Sequence, residues 1–467
     1  MPVTSSFCHW YAHARATLVL ALPIILGQLS FALIEVINNS IAGHHGTVTL
    51  AAVSIGTSLL WLPMILPMGI LIGMTALIAT LHGAGRDRAI GVLFRQALWL
   101  ALALALVLFT VLSIESDQLG SFAVSPDIVP GAVAFLKTVR WGTPAFMLFV
   151  CMRYLCDGVH WTLPTMLFGI GSLLVLVPLG SALAFGWFGL VERGAQGLGL
   201  ASALVMWMQA VLMGLYLWRS QRFARFGLFT CMEWPSLRSM RELLRTGLPV
   251  GVSVLSEGAV FIVVALVIGR MGTVPSAAHQ VAVNVVQVCY ILPLSISEAL
   301  AVRVGHVLGR RDFKQISTIA FTGFGIMLCL QCFSALALFV GHRWIPRLYT
   351  EDGDVIALVA RLLFCGAIFQ FSDGFQVVSM AILRGMQDTR VPMCLAVVAY
   401  WGLGLPLSFY FGLGLGLGPV GMWIGLVLGL SFAAILLTWR LQQSYRKLQS
   451  RWQPSMKRRG GVHDVTI

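Results

Sequence analysis

Residues 50–80 read LAAVSIGTSLLWLPMILPMGILIGMTALIAT and contain no charged side chain. A helix crossing the hydrocarbon core of a bilayer needs about 20 apolar residues, so this run is long enough to span one. The pattern returns later in the chain. Ala51-Ala52 and Pro67 recur as Ala277-Ala278 and Pro293, each offset by 226 residues, and Leu22-Pro23 recurs as Leu248-Pro249 at the same distance. GAGRD at 83–87 reappears as LGRRD at 308–312, and GAQG at 194–197 as GPVG at 418–421. Matches in several regions at nearly constant spacing indicate an internal duplication.

Working outward, apolar runs fill most of the 467 residues and predict twelve helices. They lie near 16–41, 50–80, 94–114, 131–154, 162–187, 195–218, 245–270, 277–306, 316–340, 356–384, 392–415 and 419–440. Only 10% of residues are charged and 58% are hydrophobic, against about 25% charged in a soluble domain. The runs are unbroken rather than alternating, which excludes a porin-like barrel. With both ends placed in the cytoplasm, 24 of the 31 Lys and Arg fall on the inner side and 7 on the outer. That asymmetry is the positive-inside rule. The net charge of +13 therefore reflects topology, not nucleic-acid binding. The first apolar run, from Ala16, is full length and lacks a small-residue cleavage site, so it reads as a retained helix. Nine cysteines, among them Cys151, Cys289 and Cys329, lie mostly inside apolar runs and form no loop-borne disulfide framework. The expected product is an all-α integral protein of the inner (plasma) membrane, multi-pass, with both termini cytoplasmic.

Each repeat carries six helices, an even number, so the two enter the membrane in the same orientation. Parallel repeats are related by an axis along the membrane normal, and transporters place their substrate cavity between such halves. The expected division is a first lobe over 1–218, a basic cytoplasmic linker over 219–244, a second lobe over 245–440 and a basic tail over 441–467.

Four acids fall within the expected spans: Glu35, Glu257, Glu298 and Asp373. An ionised side chain at the bilayer centre costs at least ~2.5–3.5 kcal/mol, so such a group faces water, finds a partner or stays protonated. Glu257 in the seventh helix and Asp373 in the tenth both fall near mid-depth and belong to one repeat. Helical spacing surrounds them with polar groups: Ser253 is four residues before Glu257, and Gln370, Asp373 and Gln376 step by threes. On the eighth helix Gln280, Asn284 and Gln287 share a face to which Glu298 is expected to return, with Arg303 nearby as a partner for an ion pair. In the first helix Gln28, Glu35 and Asn39 share a face beside Asn38, and the repeat puts Phe261 opposite Glu35. The lobes are therefore chemically unequal, with the stronger acid pair in the second. For each amide taken singly, an interhelical hydrogen bond is an equally good reading.

Several segments together resemble the multidrug and toxic compound extrusion (MATE) transporters, with the match nearest the NorM-like branch. They are LPIILGQLS at 22–30, NNSIAG at 38–43, GLPVGVSVLSEG at 247–258, AAHQVAVN at 277–284, RVGHVLGRRD at 303–312 and DGFQVVSMAILRGMQDTRVP at 373–392. The resemblance spans both repeats and excludes the basic tail. It implies two six-helix lobes around a V-shaped central cleft, alternating access by rocking, and export of organic, mostly cationic, drugs or toxins in exchange for inward Na+ or H+. It implies no cofactor beyond that coupling ion, a bilayer environment and a monomer. By position, Glu257 and Asp373 match the family's acidic cation-binding residues, where Na+ would sit. Where many bacterial members carry an aspartate four residues before the Ala-Gly of the first helix, this chain has Asn38 before Ala42-Gly43. That departure removes the family's first-lobe acid, and Glu35 stands one helical turn earlier.

Other readings stay open at this point, among them an exporter of an endogenous metabolite in the same superfamily. A flippase for lipid-linked sugars needs a strongly basic cavity, whereas the intramembrane charges here are mainly acidic. A membrane enzyme needs a metal or nucleophile motif, and no HExxH, DDxxD or GxSxG occurs. His44-His45 lie in an expected outer loop.

Overall fold

The computed structural model describes residues 3–121, 126–189, 191–230 and 233–459. Positions 460–467 of the expected basic tail lie outside these residues. The described residues are helical, with no strand among them. In chain order the helices are α1 (Val3–His45), α2 (Thr47–Gly83), α3 (Asp87–Gln118), α4 (129–158), α5 (Leu163–Phe185) and α6 (Gly194–Arg219). The second half follows with α7 (Leu237–Gly269), α8 (Thr273–Arg310), α9 (Phe313–Gly341), α10 (Gly353–Gly385), α11 (Arg390–Gly414) and α12 (Gly418–Arg459).

Eleven of these are long and apolar enough to cross a membrane, counted among the described residues. The remaining one, α4, is interrupted by a 3-10 turn at Arg140–Gly142. Pro144 follows in the first turn of the resumed helix and has no N–H to give the carbonyl of Arg140, so the regular ladder cannot run through. In α11 a π-helical segment, Val398–Gly404, precedes Pro406, and a second covers Tyr410–Gly414. Here too the proline withholds a donor, and the helix widens on either side.

Packing divides the chain into two units, Val19–Val254 and a second comprising Met1–Leu18 with Leu255–Ile467. The division does not coincide with the linker expected from sequence. Helix α1 changes unit after Leu18 and α7 after Val254. Within the first unit, α2 and the start of α7 meet backbone to backbone. A Cβ on Gly69 would lie 2.5 Å from the Cα of Gly251, and one on Gly247 would lie 2.2 Å from the carbonyl oxygen of Ile70. Gly69 and Gly73 on one helix, and Gly247 and Gly251 on the other, form facing small-xxx-small pairs, the device that lets membrane helices pack closely.

The duplication is also visible in the backbone. Gly85 and Arg311 both adopt left-handed φ, at 68° and 60°, in the tight turns after α2 and α8. Their separation of 226 residues sets the register one residue away from the Arg-Asp match in GAGRD and LGRRD. His160 and Gln387 form a second left-handed pair, at 61° and 62°. Close approaches repeat as well. A Cβ on Gly197 would lie 2.3 Å from the carbonyl oxygen of Leu183, and one on Gly421 would lie 2.4 Å from that of Phe411.

The connection between α6 and α7 is shorter than expected, because residues 237–244 already belong to α7. It contains a short helix, Gln221–Ala224, and is docked on α3. Arg95 donates to the Gly227 carbonyl (2.6 Å) and to Glu233 Oε1 (2.7 Å), and Trp99 Nε1 donates to the Glu233 carbonyl (3.0 Å). Phe223, Phe226 and Leu228 of the connection are buried.

Candidate functional site

In the second unit Glu257 on α7, Asp373 and Gln376 on α10 and Tyr400 on α11 meet in the interior. Glu257 lies 12 residues before the end of α7 at Gly269, and Asp373 lies 12 before the end of α10 at Gly385. At 1.5 Å per residue each is about 18 Å from a helix end, near mid-depth of a ~30 Å core. Gln376 Nε2 and the Tyr400 hydroxyl both donate to Glu257 Oε2, each at a long 3.4 Å. Asp373 is close enough to Glu257 for their charges to interact. Gln370, Asp373 and Gln376 are all buried, as their spacing predicts.

Several acceptors here lack partners. Asp373 Oδ1, Gln370 Oε1 and Gln376 Oε1 are buried without a hydrogen-bond donor among the described residues. Buried polar groups are ordinarily satisfied, so a cluster of unpaired oxygens beside a carboxylate pair suits a cation or a proton. Tyr290 on α8 lies within electrostatic reach of Glu257, Asp373, Glu298 and Arg384. Three acids against one base leave an acidic surrounding, the opposite of what a phosphate-bearing cargo requires. Ser253 does not join this group, since its hydroxyl donates back to the carbonyl of Pro249 one helical turn earlier (2.9 Å).

Tyr290 and Tyr400 were not singled out from sequence. Tyr290 continues the Gln287 face three residues on. Tyr400 sits in the π-helical segment before Pro406, whose neighbour Trp401 donates to Ser256 Oγ (2.9 Å) on α7. A proline next to glycines in an apolar run was the available signal.

The other expected residues are placed differently. On α8, Gln280, Asn284 and Gln287 are exposed, whereas Glu298 beyond Pro293 is buried. Arg303 is held by His13, through its carbonyl (2.8 Å) and ring Nδ1 (2.9 Å), and by the Thr17 hydroxyl.

Glu35 and Asn38 lie in the first unit and line a small cavity there with Thr57, Trp61, Ser202 and Gln209. Asn38 Nδ2 donates to Ser202 Oγ (3.1 Å). Gln28 is half-buried and outside that cavity. Nearby, Arg153 and Asp157 of α4 form an ion pair (3.5 Å) with side chains only 2% and 4% exposed. Sequence placed Asp157 beyond the fourth span, but α4 runs on to Gly158 and carries it into the interior. Arg153 also lies over the Phe31 ring, 5.5 Å from its centroid. His45, expected in an outer loop, ends α1 and contacts Glu192 (2.9 Å).

The MatE family profile matches residues 23–181 and 249–410, both halves of the duplication. A probable multidrug resistance protein NorM from Xanthomonas axonopodis pv. citri is 55% identical over 443 residues, covering 95% of this chain and 97% of that protein. Multidrug resistance protein PmpM of Pseudomonas aeruginosa is 38% identical and covers 93% and 92% respectively. The crystal structure of a eukaryotic MATE transporter, AtDTX14, is similar in fold, with a TM-score of 0.85 at 19% identity over 95% of this chain and 99% of that one. With the profile spanning both repeats and NorM relatives matching along nearly the whole length, this multi-pass membrane protein belongs to the MATE family of transporters, in its NorM-like branch.

Proposed function

We propose that the chain is a secondary active antiporter that exports organic, mostly cationic, drugs or toxins in exchange for inward Na+ or H+. The observation that carries this reading is the gathering of Glu257, Asp373 and unpaired amide oxygens inside the second unit. The multidrug resistance names of its relatives support the cargo class.

The chemistry follows from charge. Two carboxylates at mid-depth attract a cation, because an unpaired charge there is costly. With the site open to the outside, Na+ or a proton neutralises Glu257 and Asp373, weakens their hold on a cationic cargo and favours its release. With the site open to the cytoplasm, loss of that ion restores the carboxylates for the next cargo molecule. The inward ion gains about 2.3 kcal/mol per 100 mV of membrane potential, in addition to its own gradient. Rocking of the two lobes alternates access. Asn38 supplies no charge in the first lobe, so coupling falls on the second, with Glu35, Gln28, Gln280, Asn284, Gln287 and Glu298 as surrounding polar contacts for cargo. The protein acts as a monomer in the inner membrane, with both termini in the cytoplasm.

Proteoliposomes with separately imposed Na+ and pH gradients test this reading. Uphill movement of a cationic dye under at least one gradient is expected in the wild type and not in E257Q or D373N. Dye movement at the same rate without either gradient would reject antiport.

A further inference from the structure

A second charged feature lies away from the acid pair, where α9 ends and α10 begins. His342, Arg343, Arg347, Arg361, Ile356 and Phe364 line one surface concavity, together with two alanines. Arg343 and Arg347 stand four residues apart around the 3-10 turn Pro346–Leu348. Arg361 and Phe364 follow on one face of α10. The three guanidiniums are exposed, and none forms an ion pair among the described residues.

The acids of the same connection do not neutralise them. Asp352 Oδ1 is turned to the start of α10, where it accepts from the backbone N–H of Asp354 (2.9 Å) and Val355 (3.4 Å). Glu351 and Asp354 are exposed and make no ion pair among the described residues. Since α10, α11 and α12 cross in turn, this end of the unit is opposite the one from which the basic tail leaves. Basic residues are scarce there: of seven Lys and Arg on this side of the chain, three converge on one concavity.

The surroundings give its depth and its polarity. Trp344 and Tyr349 are exposed beside it, as aromatic residues are at the headgroup level of a bilayer. One wall is apolar: Phe364 meets Phe339 edge to face at 5.1 Å, and both rings are exposed. Ile368 and Leu336, one turn further toward the membrane interior on α10 and α9, extend that exposed strip. His342 donates its Nδ1 proton to the Phe339 carbonyl and stacks by its edge on Phe364, which fixes the ring against this wall.

We propose that this concavity binds the phosphate headgroup of an anionic phospholipid in the leaflet opposite the basic tail, with an acyl chain along Phe364, Phe339 and Ile368. Guanidinium groups match phosphate oxygens in planar, paired hydrogen bonds, and three unpaired ones favour a headgroup of net negative charge over a zwitterionic one. The apolar strip gives a lipid an advantage that a free phosphate ion lacks.

The test titrates the full chain, in phosphatidylcholine nanodiscs, with phosphatidylglycerol bearing a photoactivatable acyl chain. Adducts are expected on the segment 333–368. The half-saturating concentration is expected to rise about a hundredfold in R343Q/R347Q/R361Q, at roughly fivefold per guanidinium near an anionic surface. R193Q/R270Q, which removes basic charge elsewhere on the same side, should leave the titration unchanged. Inorganic phosphate in large excess should not displace the lipid; displacement would reassign the site to a free anion and overturn the proposal. Adduct mapping on the wild type needs no variant to fold. Labelling of 333–368 as strongly by the phosphatidylcholine analogue, or no labelling of that segment, would also overturn it.

Discussion

Substituting Gly247 by Ala tests how the fold carries the acid site. The added methyl would sit 2.2 Å from the carbonyl oxygen of Ile70 and 3.0 Å from its carbonyl carbon. An ordinary contact needs more than a further ångström, and the obstruction is backbone in the middle of α2, which no rotamer change can move. Overpacking of this kind costs about 1–3 kcal/mol, here by forcing apart two helices joined at Gly69–Gly251 and Gly73–Gly247. Glycine-to-alanine elsewhere in the same helix behaves oppositely. A Cβ on Gly269 meets nothing within 4 Å, so Gly269→Ala is expected to be neutral or to stabilise by up to about 1 kcal/mol. Unfolding of both variants in detergent, followed by loss of helical signal, gives the comparison. Truncating the neighbour's side chain with Ile70→Ala should not rescue Gly247→Ala, because the clash is with the carbonyl. Wild-type stability of Gly247→Ala, or recovery in the double variant, would refute the close-approach account.

Other substitutions address separate contacts. Asp157→Asn should destabilise by about 3–5 kcal/mol by breaking the buried ion pair with Arg153, and R153Q/D157N should recover much of that loss in the same unfolding assay. Arg95→Ala removes two charge-assisted hydrogen bonds to the connection between α6 and α7. With a combined worth of about 3 kcal/mol, their loss should speed limited proteolysis within 227–236 by roughly a hundredfold. Tyr400→Phe deletes only a 3.4 Å hydrogen bond to Glu257, so the ion concentration for half-maximal dye transport should change by no more than about fivefold, read from transport against ion concentration.

Much of this molecule is legible in the sequence because a membrane forces long apolar helices and sorts basic residues by side. Repeat matches such as Ala51-Ala52 with Ala277-Ala278 gave the lobes, and the turns at Gly85 and Arg311 are their backbone counterpart. Periodicity on α10 correctly buried Gln370, Asp373 and Gln376, where one regular helix runs through. On α8 periodicity does not tell how deeply each residue is covered: Gln280, Asn284 and Gln287 are exposed and Glu298 is buried. Tyr400 escaped for a related reason, since π-helical geometry in α11 changes which side chains face α7. Asp157 escaped because a helix end was placed four residues too early, and Arg153 because a buried base beside an acid resembles any cytoplasmic pair in sequence. The parting of the units inside α1 and α7, at Leu18 and Val254, leaves no mark in composition at all.

Whether ion and cargo take turns at one place is measured most directly by dye binding to the purified protein. A fluorescent organic cation is titrated onto the chain in detergent at increasing Na+ and, separately, at decreasing pH. Competition at Glu257 and Asp373 predicts that one of these ions raises the apparent Kd for the dye in proportion to its concentration, and that E257Q/D373N abolishes this dependence. Dye affinity indifferent to both ions, or an unchanged ion dependence in the double variant, would contradict a shared carboxylate site.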